Sequence, residues 1–235
     1  MSPINQSAIR NRLLAALPPE DFAALAEHLR PVEMRLKQVL HEPGRPIRRV
    51  HFPEGGIVSH VLPLETGHGV EVGVVGREGM LGLAVVLGDC RATVEALVQA
   101  EGRAWTVDAA DIQAAFDRSR PLRSLLLRYA HAFHVQVAQT AACNRAHPID
   151  GRLVRWLLMC QDRAHSAKME TTHEFIATML GVRRAGVTEA AGQLRDKGLI
   201  DYRRGHVTIL DRAGLEAASC ECYPIIGREF NRLLG

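Results

Sequence analysis

Hydrophobic positions change their period along the chain. Between Val32 and Val107 short apolar runs alternate with Gly and Pro at eight- to twelve-residue spacing. Ile57–Leu62, Val70–Val75 and Thr93–Val98 read as strands, separated by Pro53-Glu54-Gly55-Gly56, Thr66-Gly67-His68-Gly69 and Glu101-Gly102. Regular short strands with Gly-rich turns predict a small antiparallel barrel or jelly roll. Short amphipathic helices are expected before it, at Ala8–Leu17 and Glu20–Leu29, and after it, at Asp108–Phe116. A long helix then runs from Pro121 to Ala146 and stops at Pro148. From Ile149 the period is helical, with a terminal hairpin.

In the long helix, Leu122, Leu126, Tyr129 and Phe133 follow 4-3-4 spacing, which suits a coiled-coil seam. Gln136 and Thr140 are polar in that register. A register through Leu126, Ala130, Phe133 and Val137 fits equally well, and a helix packed on its own barrel gives the same pattern.

The segment 171–210 carries the most information. Thr171-Thr172-His173-Glu174 reads as a capping box, with a Thr at the N-cap and Glu three residues on. Phe175, Ile176, Met179 and Leu180 form one apolar face, and Gly181 supplies a turn. A second helix starts at Arg183. Val187, Ala190, Ala191 and Leu194 fall at i, i+3, i+4 and i+7, leaving Arg184, Ala185, Thr188, Glu189 and Gln193 outward. Two helices across a Gly turn, the second polar outside, form a helix-turn-helix pattern. Tyr202–Ile209 adds a hairpin with Arg203-Arg204-Gly205 at its tip, a wing.

Charge sharpens this reading. The 235 residues carry 29 Lys+Arg against 26 Asp+Glu, too small an excess to imply a polyanionic partner by itself. Between Arg183 and Arg204, however, six basic residues (Arg183, Arg184, Arg195, Lys197, Arg203, Arg204) oppose three acids (Glu189, Asp196, Asp201). Phosphate neutralisation needs such local density. Thr172, His173, Arg183, Arg203 and Arg204 are the expected phosphate contacts; Arg184, Ala185, Thr188 and Glu189 are the expected base readers. Glu189 has a second reading, in which it only orients Arg183 or Arg184 by an ion pair.

The strand-rich part, the long helix and the winged helix-turn-helix together resemble the Crp/Fnr family of bacterial transcription regulators. The resemblance is most specific in Glu174-Phe175-Ile176-Ala177-Thr178-Met179-Leu180-Gly181-Val182-Arg183-Arg184, with Val187-Thr188 and Gly198-Leu199-Ile200. It implies an α+β chain: a β-roll sensor over 1–120, a dimerisation helix over 121–147 and a winged domain over 148–235. It also implies a homodimer on a palindromic DNA operator, with RNA polymerase as a further partner. Cyclic-nucleotide-binding members hold the ribose with a Gly-Glu pair and the phosphate with an Arg beside a small hydroxyl residue. Here Gly82 is followed by Leu83, and Arg91-Ala92-Thr93 is the nearest phosphate clamp. Gly82, Leu83, Arg91 and Thr93 therefore mark the candidate effector pocket, with either an effector other than cyclic AMP or no small-molecule effector expected. No cysteine precedes Cys90, which excludes the N-terminal iron–sulfur ligation of Fnr-type members.

Other chemistry is sparse. The histidines of the strand-rich part (His41, His51, His60, His68) lack the His-x-His of barrel dioxygenases, and no Gly-x-Ser-x-Gly, Walker or dinucleotide motif is present. Neither catalysis nor a cofactor is expected. A winged module that binds protein instead of DNA is the competing class. Five cysteines without framework spacing argue against a disulfide scaffold. Cys220-Glu221-Cys222 places two thiols that can share a metal, but structural zinc sites more often use a two- to four-residue gap, and the pair reads first as a helix end with partly buried thiols; His131 and His134, three apart, read first as a solvated or hydrogen-bonded pair. No metal site is expected, and Trp105 and Trp156 are expected in the core. Apolar stretches stay far below the ~20 residues of a bilayer span, and Met1–Asn5 lacks a signal pattern, so a soluble cytoplasmic protein is expected.

Overall fold

The computed structural model describes residues 4–65, 69–164, 166–203 and 205–235. Two helices open the described chain, α1 (Arg12–Ala15) and α2 (Pro19–Ala26). Strands β1 (Arg30–Met34), β2 (Val39–His41), β3 (Arg49–Pro53), β4 (Ile57–Pro63), β5 (Gly69–Val75), β6 (Glu95–Ala100) and β7 (Gly102–Asp108) follow. They make two antiparallel sheets, ordered β1-β7-β3 and β2-β6-β4-β5. Alternate residues close the space between the sheets: Met34, Val58, Val75, Ala96, Val98 and Ala104 form one buried cluster. The expected β-roll is present. The first helix is shorter than its apolar pattern because Asn11, not Ala8, caps it, accepting from the amides of Leu13 and Leu14. The expected turn Thr66-Gly67-His68 lies outside the described residues.

Helix α3 (Ala109–Arg118) leads into the long α4 (Arg120–Ala146), and α5 (Ile149–Ala164) follows. Ser119 caps α4 through the Leu122 amide. The 4-3-4 apolar row does not form an intermolecular seam. Leu122, Leu126 and Tyr129 are buried in the chain's own core, and the Tyr129 hydroxyl donates to the Met80 carbonyl at 3.0 Å. A Cβ on Gly79 would collide with the Tyr129 ring, so only glycine admits this approach. Phe133 packs half-buried against His60, ring centroids 5.1 Å apart, and Val137 is half-buried too. The outward row is instead Leu127, His131, His134 and Ala138.

The polar residues in that register serve a different purpose. Gln136 and Thr140 are buried and each meets an arginine of α5. Arg163 donates to Glu78 at 2.7 Å, to Gln136 Oε1 at 2.9 Å and to its own helix's Met159 carbonyl at 2.8 Å. Arg155 donates to Thr140 Oγ1 at 3.2 Å. Trp156 is buried beside them, whereas Trp105 is half-buried.

The remainder comprises β8 (Lys168–Glu170), α6 (His173–Leu180), α7 (Arg184–Asp196), β9 (Ile200–Arg203), β10 (His206–Ile209), α8 (Arg212–Ala218) and α9 (Cys222–Leu234). The expected two-stranded wing has a third strand, in the order β8-β10-β9. The last helix returns to α4, where Phe230 meets Tyr129 edge-on with ring centroids 6.4 Å apart.

Two stability consequences follow from the buried polar groups. Glu78→Gln removes the charge facing Arg163 and leaves a guanidinium uncompensated. The expected loss is about 3–5 kcal/mol, seen as a melting temperature lowered by roughly 6–20 °C; a shift under about 2 °C argues against this role. His51 and His60 are buried, and burial holds both pKa values down to about 4. The unfolded chain binds these protons first, near pH 6.5. Stability from the neutral rings is therefore complete above pH 6.5 and lost as pH falls from 6.5 towards 4. Melting curves between about pH 7 and pH 4.5 should show this fall, and His60→Phe should flatten it.

Candidate nucleic-acid interface

Helix α6 begins at Thr172, whose Oγ1 accepts from the Phe175 amide at 3.1 Å. The cap is one residue later than the sequence pattern suggests. Thr171 is buried directly after β8, and its own amide donates to the Gly205 carbonyl at the wing tip, 2.8 Å away. Glu174, in the first turn, suits the positive end of the helix without closing a capping box. Gly181 ends α6 with φ +62°, a left-handed cap that turns the chain within three residues into α7. Ile176, Met179, Leu180, Val187, Ala190, Ala191 and Leu194 are all buried, as their helical spacing predicts. That burial fixes which face of α7 is left outside.

The outward face carries Arg184, Ala185, Thr188 and Glu189, of which Arg184, Ala185, Thr188 and the Glu189 carboxylate lie on the solvent side of the helix. Arg183 is exposed at the N-cap position and makes no side-chain cap. Thr188 turns its hydroxyl back onto the Arg184 carbonyl at 3.1 Å. Among the described residues no carboxylate lies within 4 Å of Arg183 or Arg184, and Glu189 makes no ion pair with either. Two cations and one anion thus stand free on one helix end. On the wing, Arg203 is exposed and pairs with Asp201 at 2.9 Å, so that ion pair competes with any anion for its guanidinium. Arg204 lies outside the described residues.

His173 departs from the expected role. Its ring stacks on Tyr202 with centroids 4.0 Å apart, and Nδ1 lies 3.0 Å from Thr188 Oγ1. Because the Thr188 proton goes to the Arg184 carbonyl, the ring must donate from Nδ1, which fixes the neutral tautomer. Nε2 is buried without a partner among the described residues. Burial, then the nearby Arg184 charge, lowers the His173 pKa. A neutral, packed imidazole is a poor phosphate ligand. It joins the wing, the start of α6 and the outward face of α7 into one unit.

The candidate effector residues do not converge. Gly82 is buried at the start of a short 3₁₀ turn, where a Cβ would meet Val50 at 2.8 Å. Leu83 is half-buried, Thr93 is exposed, and the Arg91 guanidinium donates to the Gly44 carbonyl at 3.1 Å. The adjoining cleft, lined by His41, Arg45, Ile47 and Arg49 among others, includes none of the four. A phosphate clamp at Arg91–Thr93 is therefore not assembled here. A second set of residues, which sequence spacing did not connect, does assemble: Cys143 and His147 at the end of α4 meet Cys220 and Cys222.

The neutral state of His173 is open to measurement. In a proton NMR titration its midpoint should fall below about 6.5, and Arg184→Ala should raise it while leaving it depressed. A midpoint at or above the ordinary value would mean that the ring is solvated.

A family profile described as the Crp-like helix-turn-helix domain matches residues 151–218. No curated protein matches the chain. Among solved structures, FixK2 from Bradyrhizobium japonicum is similar at a TM-score of 0.70 and 15% identity, covering 82% of this chain and 98% of its own. TTHA1359, a transcriptional regulator of the CRP/FNR family from Thermus thermophilus, has a TM-score of 0.68 and 19% identity, with 81% and 98% covered. The c-di-GMP-responsive global regulator CLP of Xanthomonas campestris has a TM-score of 0.65 and 14% identity, with 83% and 100% covered. At these identities the likeness is one of fold, and the sequence match lies in the helix-turn-helix. Residues 151–218 are thus a Crp-like helix-turn-helix domain, in a chain whose fold is similar to that of Crp/Fnr-family regulators.

Proposed function

We propose that the protein is a sequence-specific DNA-binding regulator that acts as a homodimer on an inverted-repeat operator. The observation that carries this reading is the outward end of α7, where Arg183 and Arg184 stand without an acidic partner among the described residues, beside a Gly-turned helix pair. Arg184, Ala185, Thr188 and Glu189 read base edges. Arg184 takes a guanine through O6 and N7; Glu189 accepts from the amino group of cytosine or adenine. Thr172, Arg183 and Arg203 hold phosphates, Arg203 exchanging Asp201 for the backbone. Within this reading residues 1–120 form the sensor, 121–147 the pairing helix and 148–235 the DNA-binding unit. The pairing row is the outward Leu127, His131, His134 and Ala138, since Leu122, Leu126 and Tyr129 are committed to the core.

The effector, where one acts, is not cyclic AMP. Leu83 offers no acceptor to a ribose hydroxyl, and Arg91 is engaged by Gly44. Acting on DNA, the protein would work in the cytoplasm with RNA polymerase as a neighbour. No helix of the described residues is long and apolar enough to cross a membrane.

Selection from random DNA tests the whole reading. Wild-type protein should enrich an inverted repeat with half-site centres about 34–36 Å apart. Glu189→Ala should relax preference at one base pair per half-site, a change of roughly 1–3 kcal/mol. A uniform change over all sequences would show that Glu189 reads no base. Arg203→Ala should weaken every sequence alike and reduce the logarithmic salt slope by ~0.9 for each phosphate no longer neutralised. An unchanged slope would remove the wing from the interface.

A further inference from the structure

Four metal-ligating side chains, none of them on α7, meet at one point. Cys143 and His147 lie one turn apart at the end of α4; Cys220 and Cys222 flank the start of α9. The Cys143 and Cys220 sulfurs are 3.6 Å apart, and Cys222 Sγ is 3.7 Å from His147 Nδ1. All four candidate ligand atoms lie within 4.8 Å of one another. A tetrahedral zinc ion with metal–sulfur bonds of about 2.3 Å and metal–nitrogen bonds of about 2.0–2.1 Å spaces its ligands by roughly 3.5–3.8 Å. We propose that Cys143, His147, Cys220 and Cys222 form a tetrahedral three-thiolate, one-imidazole site for a single divalent cation of the zinc class.

Two independent features support that assignment. First, the far side of the imidazole is already oriented: His147 Nε2 lies 3.3 Å from Glu221 Oε2, leaving Nδ1 to face the sulfurs. A carboxylate behind a metal-binding histidine fixes its tautomer and raises its basicity, so Glu221 is a positioning residue. Second, the charge balance around the cluster is incomplete without an anionic centre. Arg152 and Arg155 are buried and feel the Cys143 sulfur. Among the described residues neither forms an ion pair within 4 Å, and both Nε atoms lack hydrogen-bond partners. Three thiolates around a dication leave one net negative charge, placed beside two buried guanidiniums that need it. Binding releases the thiol protons to solvent, and no electron is transferred.

A disulfide between Cys143 and Cys220 is the rival chemistry. It would use two of the four groups, leave the orientation of His147 without purpose and supply no countercharge to the arginines. Exposure differs across the cluster as a structural site requires: Cys143 and Cys222 are buried, while Cys220 and His147 border solvent, which gives an ion a way in. The cysteines and histidine also bracket residues 148–219, a stretch that contains all of α5 to α8 and the segment matched to the helix-turn-helix domain. An ion here would clasp the base of that whole unit to the end of α4.

The test uses the full chain, reduced and freed of metal, titrated anaerobically with Co²⁺. The expected result is an intense thiolate-to-cobalt absorption with the visible bands of tetrahedral cobalt, saturating at one ion per chain and displaced by Zn²⁺. Zn²⁺ should protect Cys143, Cys220 and Cys222 from alkylation, while exposed Cys90 reacts at an unchanged rate in the same sample. Cys143→Ser and Cys222→Ser should each lose the three-thiolate spectrum. Glu221→Gln should keep its shape but weaken affinity about 10–100-fold. Because the cobalt and alkylation readouts use the unaltered chain, they remain decisive if a cysteine variant does not fold. Absence of a saturable tetrahedral spectrum, or a Cys143–Cys220 disulfide forming in the presence of Zn²⁺, overturns the site. An unchanged affinity in Glu221→Gln overturns the positioning role. DNA binding enters none of these readouts, so failure here leaves the interface reading untouched.

Discussion

Arg163 is the side chain on which the arrangement of this molecule depends. Its guanidinium bonds the loop after β5 through Glu78, the long helix through Gln136 and its own helix α5 through the Met159 carbonyl. Taking a guanidinium and a carboxylate out of water costs several kcal/mol, which is offset only when nearly every donor and acceptor finds a partner. That condition is met. Glu78 also accepts the Gly76 amide at 3.1 Å, and Gln136 donates onward to the Val74 carbonyl at 3.0 Å. The network specifies geometry as much as it stabilises, because any slide of α4 over the roll separates Gln136 from Val74 and Arg163 together.

The same network explains where sequence periodicity misleads. Apolar spacing identifies α4 and its buried row, but a heptad stripe reports that a face is covered, not by what. Leu122, Leu126 and Tyr129 satisfy a coiled-coil pattern while facing the roll. Gln136 and Thr140 look like interruptions because their value lies in arginines 15 and 27 positions away, Arg155 and Arg163. No local rule connects them. The helix-turn-helix, by contrast, is legible almost residue by residue, since its cap, its Gly turn and its apolar face are all set by neighbours within one or two turns. Even there Thr171 and Thr172 exchange roles: two adjacent hydroxyl residues carry the same local signal, and strand pairing to the wing tip decides which one is free to cap. The three residues of β8 escaped because so short a strand has no periodicity to read.

Histidine shows the limit of residue type as evidence for role. At the start of a helix in a basic segment, His173 has the composition of an anion contact. Its environment gives the opposite result, because Tyr202 covers one face and Thr188 takes Nδ1. What remains of the electrostatic surface is carried by arginines, whose charge survives burial and pH alike. The four-residue cluster at the end of α4 is the reverse case. Cys220-Glu221-Cys222 alone has weak spacing for a metal, and Cys143 and His147 add nothing in sequence. They become a constellation only because α9 folds back along α4.

That return of α9 sets how the parts of the chain are coupled. Phe230 rests on Tyr129, whose hydroxyl holds Met80 in the roll, and the Arg12 side chain reaches the carbonyl of Gly235. The helix-turn-helix is also in direct contact with the roll: a Cβ on Gly181 would sit 3.1 Å from Val70 of β5. A displacement in the roll therefore meets α5 at Glu78, α6 at Val70 and α9 through Tyr129. Packed contacts of this kind change by discrete steps more readily than by smooth deformation, because interiors have little free volume. Two of the three routes involve α4, through Gln136 and Tyr129. The third reaches the turn before α7 without it, so a movement of β5 alone is enough to disturb the helix that presents Arg184 and Glu189.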